Sequence, residues 1–262
     1  MRKLLIFVIA LGVVYGGYWF IGSAAVERGA KAALAQVQAD GWDLTYDSLV
    51  TRGFPSRFDT TLTNISLRDP GTGIGWQAPF FQLLALSYLP NRVIAIWPND
   101  QTVIMPGQTL QVTSDRLRAS VAVGANTALT LTKATAETGP LTVVSDFGWR
   151  AAIDKGLVAL RQAAGDNSYD VYADLTALTL PAALKSRLDP AADLPAALSV
   201  VRADTTLTLD RPLDRHLEKG PPPALQTLVV KDLNLTWGKL TFRASGQIVA
   251  DAQGRAEGRL DI

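Results

Sequence analysis

LQTLVVKDLNLTWGKLTFRASGQIVADAQGRAEGRLDI, residues 225–262, alternates apolar and polar side chains over three segments. A period of two is typical of a β-strand that buries one face and leaves the other in water. The pair Gly238-Lys239 and the run Asp251-Ala252-Gln253-Gly254 separate the segments, and both are typical turn sequences. This stretch therefore predicts an antiparallel sheet built from hairpins.

Similar segments extend upstream to Trp42. Trp42, Leu44 and Tyr46 alternate with polar residues, and the alternation in residues 58–67 changes phase near Thr63-Asn64, which predicts a β-bulge there. The run Asp69-Pro70-Gly71-Thr72-Gly73 predicts a hairpin turn. We expect further strand segments at residues 76–86, 93–97, 108–123 (a hairpin turning at Ser114-Asp115), 128–132, 141–144, 169–180 and 200–209.

Two stretches interrupt the strand pattern. Apolar residues between Asp146 and Ala164 recur at helical spacing, and Pro181 to Leu198 reads as one or two short helices. We therefore predict an α+β fold, with an N-terminal membrane helix followed by a large, twisted, mainly antiparallel β-sheet that has a few helices packed on it.

The first apolar run, from Leu4 to Ile21, carries no charged residue and is about long enough to cross a bilayer. Arg2 and Lys3 precede it, so the positive-inside rule places the N-terminus in the cytoplasm. Aromatic residues gather at its far end, as at a membrane interface. The run is either an uncleaved anchor or a signal peptide cleaved near the small residues 22–25. A buried helix of a soluble domain fits less well, because the run is apolar on all sides.

Residues 22–40 predict a helix that links the anchor to the rest of the chain, and Gly41 is suited to end it. Its alanine-rich face favours packing over a partner site. Residues 41–262 are expected to form one β-rich periplasmic domain. Its pattern stops in mid-strand, so we expect either a truncated C-terminus or an edge strand that ends at Ile262.

Composition excludes several classes of site. The chain has 262 residues, a net charge of +1, no cysteine and one histidine, His216. Disulfides, thiolate metal sites, cysteine nucleophiles and multi-histidine metal sites are thereby excluded. A nearly neutral chain has no global field that would attract nucleic acid, and we expect no nucleic-acid partner.

The best acid/base cluster is the group Asp210, Asp214, His216 and Glu218. It lies in a polar, proline-rich loop, whereas acid/base chemistry needs partners held in a fixed pocket, so we expect this loop to be solvated. The pair Asp43 and Asp47 lies on the polar side of its strand segment and is expected to be solvated as well.

The glycines at 71, 73 and 75 suggest a phosphate loop, but such a loop must open a helix, and Pro79 follows too closely. No nucleophile elbow or metal motif is present in the sequence. We therefore expect a protein that is not an enzyme, with no catalytic residue, no metal and no cofactor.

An ordered series of short motifs resembles the family catalogued as "domain of unknown function 2125". The series comprises Gly41-Trp42-x-Leu44-x-Tyr46, Gly53-Phe54-Pro55-x-Arg57-Phe58, Gly75-Trp76-x-Ala78-Pro79, Leu89-Pro90-Asn91-Arg92-Val93 and Trp97-Pro98. The resemblance implies an anchored or exported envelope protein of alphaproteobacteria with a β-rich fold. The family has no assigned activity, so no site residue is carried over. The hairpins at the C-terminal end are also similar, in a generic way, to AsmA-like envelope proteins.

Two functions follow as hypotheses. The first is a membrane-anchored periplasmic protein that binds lipid or another apolar ligand in a groove of the sheet. The second is a structural or protein-interaction module of the envelope without a small ligand. In both hypotheses the protein is bound to the inner membrane. The further partner is lipid in the first and envelope proteins in the second. The two hypotheses differ in whether the apolar sheet face is open or covered by the predicted helices.

Overall fold

A computed structural model describes residues 1–217, 220–251 and 253–262, which fall into two compact units, Met1–Thr109 and Leu110–Ile262. Within these residues the secondary structure consists of two helices and seventeen strands. The antiparallel sheet and the N-terminal helix are confirmed. The expectation of several helices packed on the sheet is wrong, because the fold is mainly β.

Helix α1 (Arg2–Ala39) runs without interruption through the apolar run and the segment that follows it. The predicted helix over residues 23–39 is thus confirmed as a continuation of the apolar run. Gly41, with φ of 93°, follows Asp40 in the left-handed conformation that glycine adopts at low cost. Towards its C-terminal end, α1 lays Ala30, Leu34 and Val37 on a buried cluster of unit 1, which consists of Leu44, Leu49, Leu62, Ile65 and Ala78.

The sheet of unit 1 has four antiparallel arms joined by short turns. Two arms are single long strands, β3 and β4, and the other two are broken strands. The β1–β2 arm pairs with β3, and the β5–β6 arm pairs with β4. The strands are β1 (Asp43–Thr45), β2 (Ser48–Arg52), β3 (Arg57–Arg68), β4 (Gly75–Leu86), β5 (Leu89–Trp97) and β6 (Asp100–Met105).

The phase change predicted near Thr63-Asn64 is confirmed, but the predicted β-bulge is wrong, because the register of β3 does not shift there. Burial along β3 alternates on even numbers up to Leu62 and then resumes at Ile65. Asn64 between them has φ of 49° and donates a hydrogen bond to Asp47 Oδ2 at 2.5 Å. The left-handed residue turns the next side chain inward, although the register with β4 is unchanged on its two sides.

The glycine-rich run between β3 and β4 is a hairpin turn, as predicted. Asp69 holds it, accepting hydrogen bonds from Gly71 N at 2.9 Å and Thr72 Oγ1 at 2.6 Å. Gly73, with φ of 74°, donates its N–H to Asp69 O at 2.8 Å. Gly75 begins strand β4 rather than a helix, so the geometry of a phosphate loop is not formed here.

Unit 2 is an antiparallel meander in which each arm pairs with the one before it. Residues of β7 from Leu110 onward belong to it. The strands are β7 (Gln108–Ser114), β8 (Leu117–Val123), β9 (Leu131–Thr138), β10 (Leu141–Ser145), β11 (Arg150–Ile153), β12 (Lys155–Gln162), β13 (Ser168–Thr179), β14 (Ala197–Leu209), β15 (Leu225–Trp237), β16 (Leu240–Ala250) and β17 (Ala256–Asp261).

The predicted reversal at Ser114-Asp115 is wrong. Strand β7 pairs with β10, and β8 pairs with β9, so β7 and β8 are consecutive halves of one arm that runs along its partner. Asp115 N donates to Pro140 O at 3.3 Å, and Gly139 N donates to Arg116 O at 3.1 Å. The interruption between β7 and β8 therefore lies opposite the interruption between β9 and β10, and these bonds connect the two. The chain does not reverse direction at either one.

The helix predicted from Asp146 to Ala164 is also wrong, because this stretch forms β11 and β12. Strand β12 pairs with β9 on one side and β13 on the other. Hydrogen bonds to two neighbours outweigh the local spacing of apolar residues, which here spans two strands separated by Asp154. The helical expectation for residues 181–198 is confirmed only for α2 (Ala182–Leu188), in which no residue is buried.

Candidate functional site

The pairing register of unit 2 sorts its side chains onto two chemically different faces. Residues opposite each other in an antiparallel ladder point to the same side of the sheet. One row crosses seven strands through Ala119, Ala136, Val158, Ala173, Ala203, Leu233 and Ala244. This row, together with its neighbours on the same side, is called the apolar face.

The two rows that flank it are nearly as apolar. The first contains Val121, Ala134, Leu160, Val171, Thr205, Val230, Gly246 and Leu260. The second contains Leu117, Thr138, Gly156, Leu175, Val201, Leu235 and Phe242. No charged residue occupies any of these positions, so the face is apolar over its whole width.

Part of the apolar face is exposed. Val158 is 46% exposed, Val121 41% and Phe242 40%. Residues 146–164, expected as one cover, form strands of the sheet itself, and α2 (Ala182–Leu188) has no buried residue. The helices expected to cover this face are therefore not found there.

The apolar face is broad, although Tyr169, Thr138 and Ala244 within it are buried. At about 3.3 Å per residue and about 4.8 Å between strands, the rows from Tyr169 to Leu175 on seven strands have an outline of roughly 20 by 29 Å, or about 600 Å². The largest apolar patch of a soluble monomer is typically about 300–600 Å². The length along the strands also exceeds the roughly 15 Å of one leaflet's hydrocarbon thickness.

The opposite side, the polar face, carries a network of charges. Asp170 accepts hydrogen bonds from Lys231 at 2.7 Å, Thr206 at 2.6 Å and Arg161 at 3.1 Å. The hydrogen bond from Lys231 is the main reason that the pKa of Asp170 falls to about 2, with Thr206 and Arg161 adding to it. The carboxylate stays ionised, and this face stays hydrated.

A second group on the polar face surrounds Asp174. Its Oδ2 accepts hydrogen bonds from Tyr172 Oη at 3.0 Å and from Arg202 Nη2 at 3.1 Å. Burial, followed by the hydrogen bond to Asp174, raises the pKa of Tyr172. One face of the unit 2 sheet is thus charged and the other apolar, and the charged face favours contact with water.

Loops close the two ends of the apolar face. At one end, the fully buried Tyr169 accepts a hydrogen bond from Leu213 N at 2.9 Å, which ties the 210–217 loop to β13. At the other end, Trp237 Nε1 donates to Pro195 O at 2.9 Å, and Lys185 Nζ lies 5.8 Å from the centre of its ring. The part between these two aromatic residues is the candidate site.

The acid/base residues singled out in the sequence lie outside this site. Asp214 Oδ1 accepts hydrogen bonds from His216 N at 2.8 Å and lies 3.2 Å from its Nδ1. These bonds hold the pKa of Asp214 below its ordinary value, the backbone bond contributing most. The His216 side chain is 56% exposed, and Glu218 lies outside the described residues.

Asp210 makes separate contacts, to Arg211 and to Ala224 N at 2.8 Å, and the Arg211 hydrogen bond lowers its pKa. The loop is better held than expected, because Leu131 N donates to Leu213 O at 2.7 Å. The expected solvation is observed at Asp43 and Asp47, which are exposed. No group of three or more potential metal ligands occurs in residues 1–217, 220–251 and 253–262.

The sequence analysis missed Val158 and Leu160 as residues of the apolar face, because it assigned them to a helix. The period-two signal is present: Lys155 and Arg161, six residues apart, lie on the polar face together, whereas Gly156 and Val158 lie on the other. Gly156 is needed there, since a Cβ would lie 2.9 Å from Thr138 Cγ2 and 3.0 Å from Ile153 Cδ1.

Comparison with known proteins gives one finding. No curated protein and no solved structure matches the chain. A family model described as an uncharacterized protein conserved in bacteria (DUF2125) matches residues 19–262. The match covers the strands of both units and the second half of α1, and the resemblance seen in the sequence is confirmed. The chain is a member of the DUF2125 family.

Proposed function

We propose that this protein is anchored in the bacterial inner membrane and binds lipid acyl chains on the apolar face of unit 2. The observation that carries the proposal is the apolar face itself, which has an outline of about 600 Å², no charged residue and exposed side chains such as Val158 and Phe242. Acyl chains laid along the strands would remove this surface from water, at about 25 cal/mol for each Å². The polar face would remain in solvent.

The anchoring part of the proposal rests on α1. It is long and apolar enough to cross a membrane, as an N-terminal signal sequence also is. Trp19 and Ser23 are buried against unit 1, and a Cβ on Gly22 would lie 2.7 Å from Phe58 Cζ. Cleavage after the small residues 22–25 would remove this packing, which supports an uncleaved anchor.

The expected topology follows from the charges that flank the run. Arg2 and Lys3 keep the N-terminus in the cytoplasm, and both units then lie in the periplasm. We propose a binding role and not a catalytic one, because the His216 pair is exposed and lies outside the apolar face.

Photo-crosslinking at two adjacent residues of β12 tests lipid binding. A photoreactive benzoylphenylalanine replaces Val158, which lies on the apolar face, or Ala159, which lies on the polar face, in the full-length protein in native membranes. We expect phospholipid adducts at position 158 and none at position 159, as read by mass spectrometry. Equal labelling at the two positions, or none at 158, would contradict the proposal.

A second candidate function is protein interaction by strand addition. All six residues of β17 are exposed, and in the described part of the chain it pairs with β16 alone. A partner strand would pair at its other edge. Protein adducts in place of lipid at position 158, or at exposed positions of β17, would favour this alternative.

A further inference from the structure

Two turns of unit 1 contact the apolar part of α1. The turn pair consists of residues 53–56, between β2 and β3, and residues 87–89, where β4 passes into β5. Tyr18 Oη donates a hydrogen bond to Ser87 O at 2.6 Å, and Tyr15 Oη lies 3.1 Å from Ser87 Oγ. Both tyrosines belong to the run from Leu4 to Ile21, so the turns lie beside the anchor itself and not only beside its extension.

Aromatic rings fill the space between the turn pair and the helix. Phe54 stacks on Phe20 with ring centres 5.7 Å apart and meets Trp19 edge-on at 5.4 Å. Trp19 Nε1 donates to Arg57 O at 2.8 Å. This packing fixes the height of the turns along the helix axis.

That height lies within the apolar run. A helix rises about 1.5 Å per residue, so Tyr18 and Tyr15 are about 5 and 9 Å closer to the membrane centre than Ile21. When the run crosses the hydrocarbon region, the turn pair lies at its outer boundary. Interfacial protein segments reach about 5–10 Å into the same zone.

The exposed side chains of the turn pair suit that zone. Tyr88 is 62% exposed, Phe54 56% and Leu89 38%. Tyrosine and other aromatic residues are enriched where acyl chains meet headgroups. Arg52 and Arg92, both exposed, stand near the two turns and match the negative charge of phospholipid headgroups.

Several polar groups at the turn pair are hydrogen-bonded within the protein. Ser87 is fully buried, its N–H donates to Ser56 O at 2.9 Å, and its hydroxyl contacts Tyr15 and Pro55 O. Arg57 N donates to Gly53 O at 2.9 Å. Segments that enter a membrane require such pairing, because hydrocarbon offers no partner to a free N–H or C=O.

We propose that the turn pair inserts into the headgroup–acyl boundary of the leaflet where α1 leaves the membrane, so that unit 1 rests directly on the phospholipid bilayer. The inference rests on the anchoring part of the proposed function and is independent of lipid binding by unit 2. It predicts a fixed distance between unit 1 and the membrane.

Single cysteines make this measurable, since the chain has none of its own. Tyr88→Cys and Leu89→Cys report on the turn pair. Ile74→Cys, 44% exposed, is the matched control at the other end of the β3–β4 hairpin, about 36 Å away. Gly12→Cys reports on the anchor. Each full-length variant carries an environment-sensitive fluorophore in vesicles of phosphatidylethanolamine and phosphatidylglycerol.

We expect labels at 88, 89 and 12 to lose most of their emission to nitroxide-bearing lipids and to resist aqueous iodide. The label at 74 should show the reverse. If 12 is protected while 88 and 89 behave like 74, the turn pair does not enter the membrane and this inference alone is overturned. If 12 is also open to iodide, the anchoring proposal fails and this inference fails with it.

Discussion

The two units contain the same kind of antiparallel sheet but differ in how far the apolar side of that sheet is covered. In unit 1, α1 covers the apolar side chains, and Leu49 and Leu62 are each only 5% exposed. In unit 2, Val158 and Val121 remain more than 40% exposed at the centre and one side of the sheet. The chain therefore covers the apolar side of one sheet with a helix, whereas part of the apolar side of the other sheet remains exposed.

The two units are also stabilised by different interactions. Unit 1 has a helix-on-sheet core, whereas unit 2 depends more on its ladders and on side-chain contacts across the polar face. Among its described residues the buried apolar ones are few, and three of the four lie near strand ends: Tyr169, Leu198 and Trp237, with Ala244 in the middle of β16. Mutations should therefore have unequal effects in the two units.

The largest effect is expected in the unit 1 core. Leu62→Ala removes a buried side chain beneath α1 and should lower the free energy of unfolding by roughly 2–5 kcal/mol. Val158→Ala removes a half-exposed one and should cost about 1 kcal/mol or less. Chemical denaturation in mild detergent compares them. Equal losses would mean that the apolar face is covered as fully as the unit 1 core.

The contact between helix and sheet is tested by two glycines of α1. Gly22→Ala places a methyl group 2.7 Å from the Phe58 ring and should cost about 1–3 kcal/mol. Gly29→Ala meets nothing within 4 Å and should stabilise the protein by up to about 1 kcal/mol through helix propensity. Thermal unfolding measures both. Stabilisation by the first change would show that α1 does not lie on unit 1 as described.

The stability of the protein in acid tests the ion pairs of Asp170 on the polar face of unit 2. Asp170 has a pKa of about 2, below its ordinary value of 3.8, so its stabilising effect is present above pH 4 and is lost as the pH falls towards 2. Because Lys231 and Arg161 are partly exposed, we expect a loss of about 1–2 kcal/mol.

Asp170→Asn should remove this part of the acid dependence, as seen in denaturation curves between pH 2 and 5. The variant should already be less stable at pH 7. An acid dependence identical to that of the unmodified protein would show that the Asp170 network does not stabilise unit 2.

The smallest effects are expected in the 210–217 loop. Tyr169→Phe removes the acceptor of the Leu213 N–H and should cost about 1 kcal/mol. His216→Ala, at an exposed position, should change stability by less than about 0.5 kcal/mol. Loss of lipid adducts at position 158 in the His216 variant would contradict the placement of this loop outside the site.

The sequence predicted the parts of the fold that depend on local chemistry. Asp69 and its glycines specify a hairpin turn, and Gly41 ends α1 at the expected place. Such features are predictable because the residue that causes them lies within a few positions of the structure it determines.

Features that depend on distant partners were harder to predict. Residues 146–164 have helical spacing, and only pairing with β9 and β13 makes them strands. The apolar face was expected as one of two possibilities, because its openness depends on where the helices lie. The contact of Ser87 with Tyr15 and Tyr18 joins residues about 70 positions apart, and no local pattern indicates it.

The meander of unit 2 also bears on how the chain reaches its folded state. Each arm pairs with the arm made just before it, so most contacts are local in sequence and loop closure costs little entropy. A chain emerging N-terminus first can add one arm at a time to a growing edge, without waiting for its C-terminus. Such an order leaves at most one strand unpaired at any moment, which limits aggregation during folding.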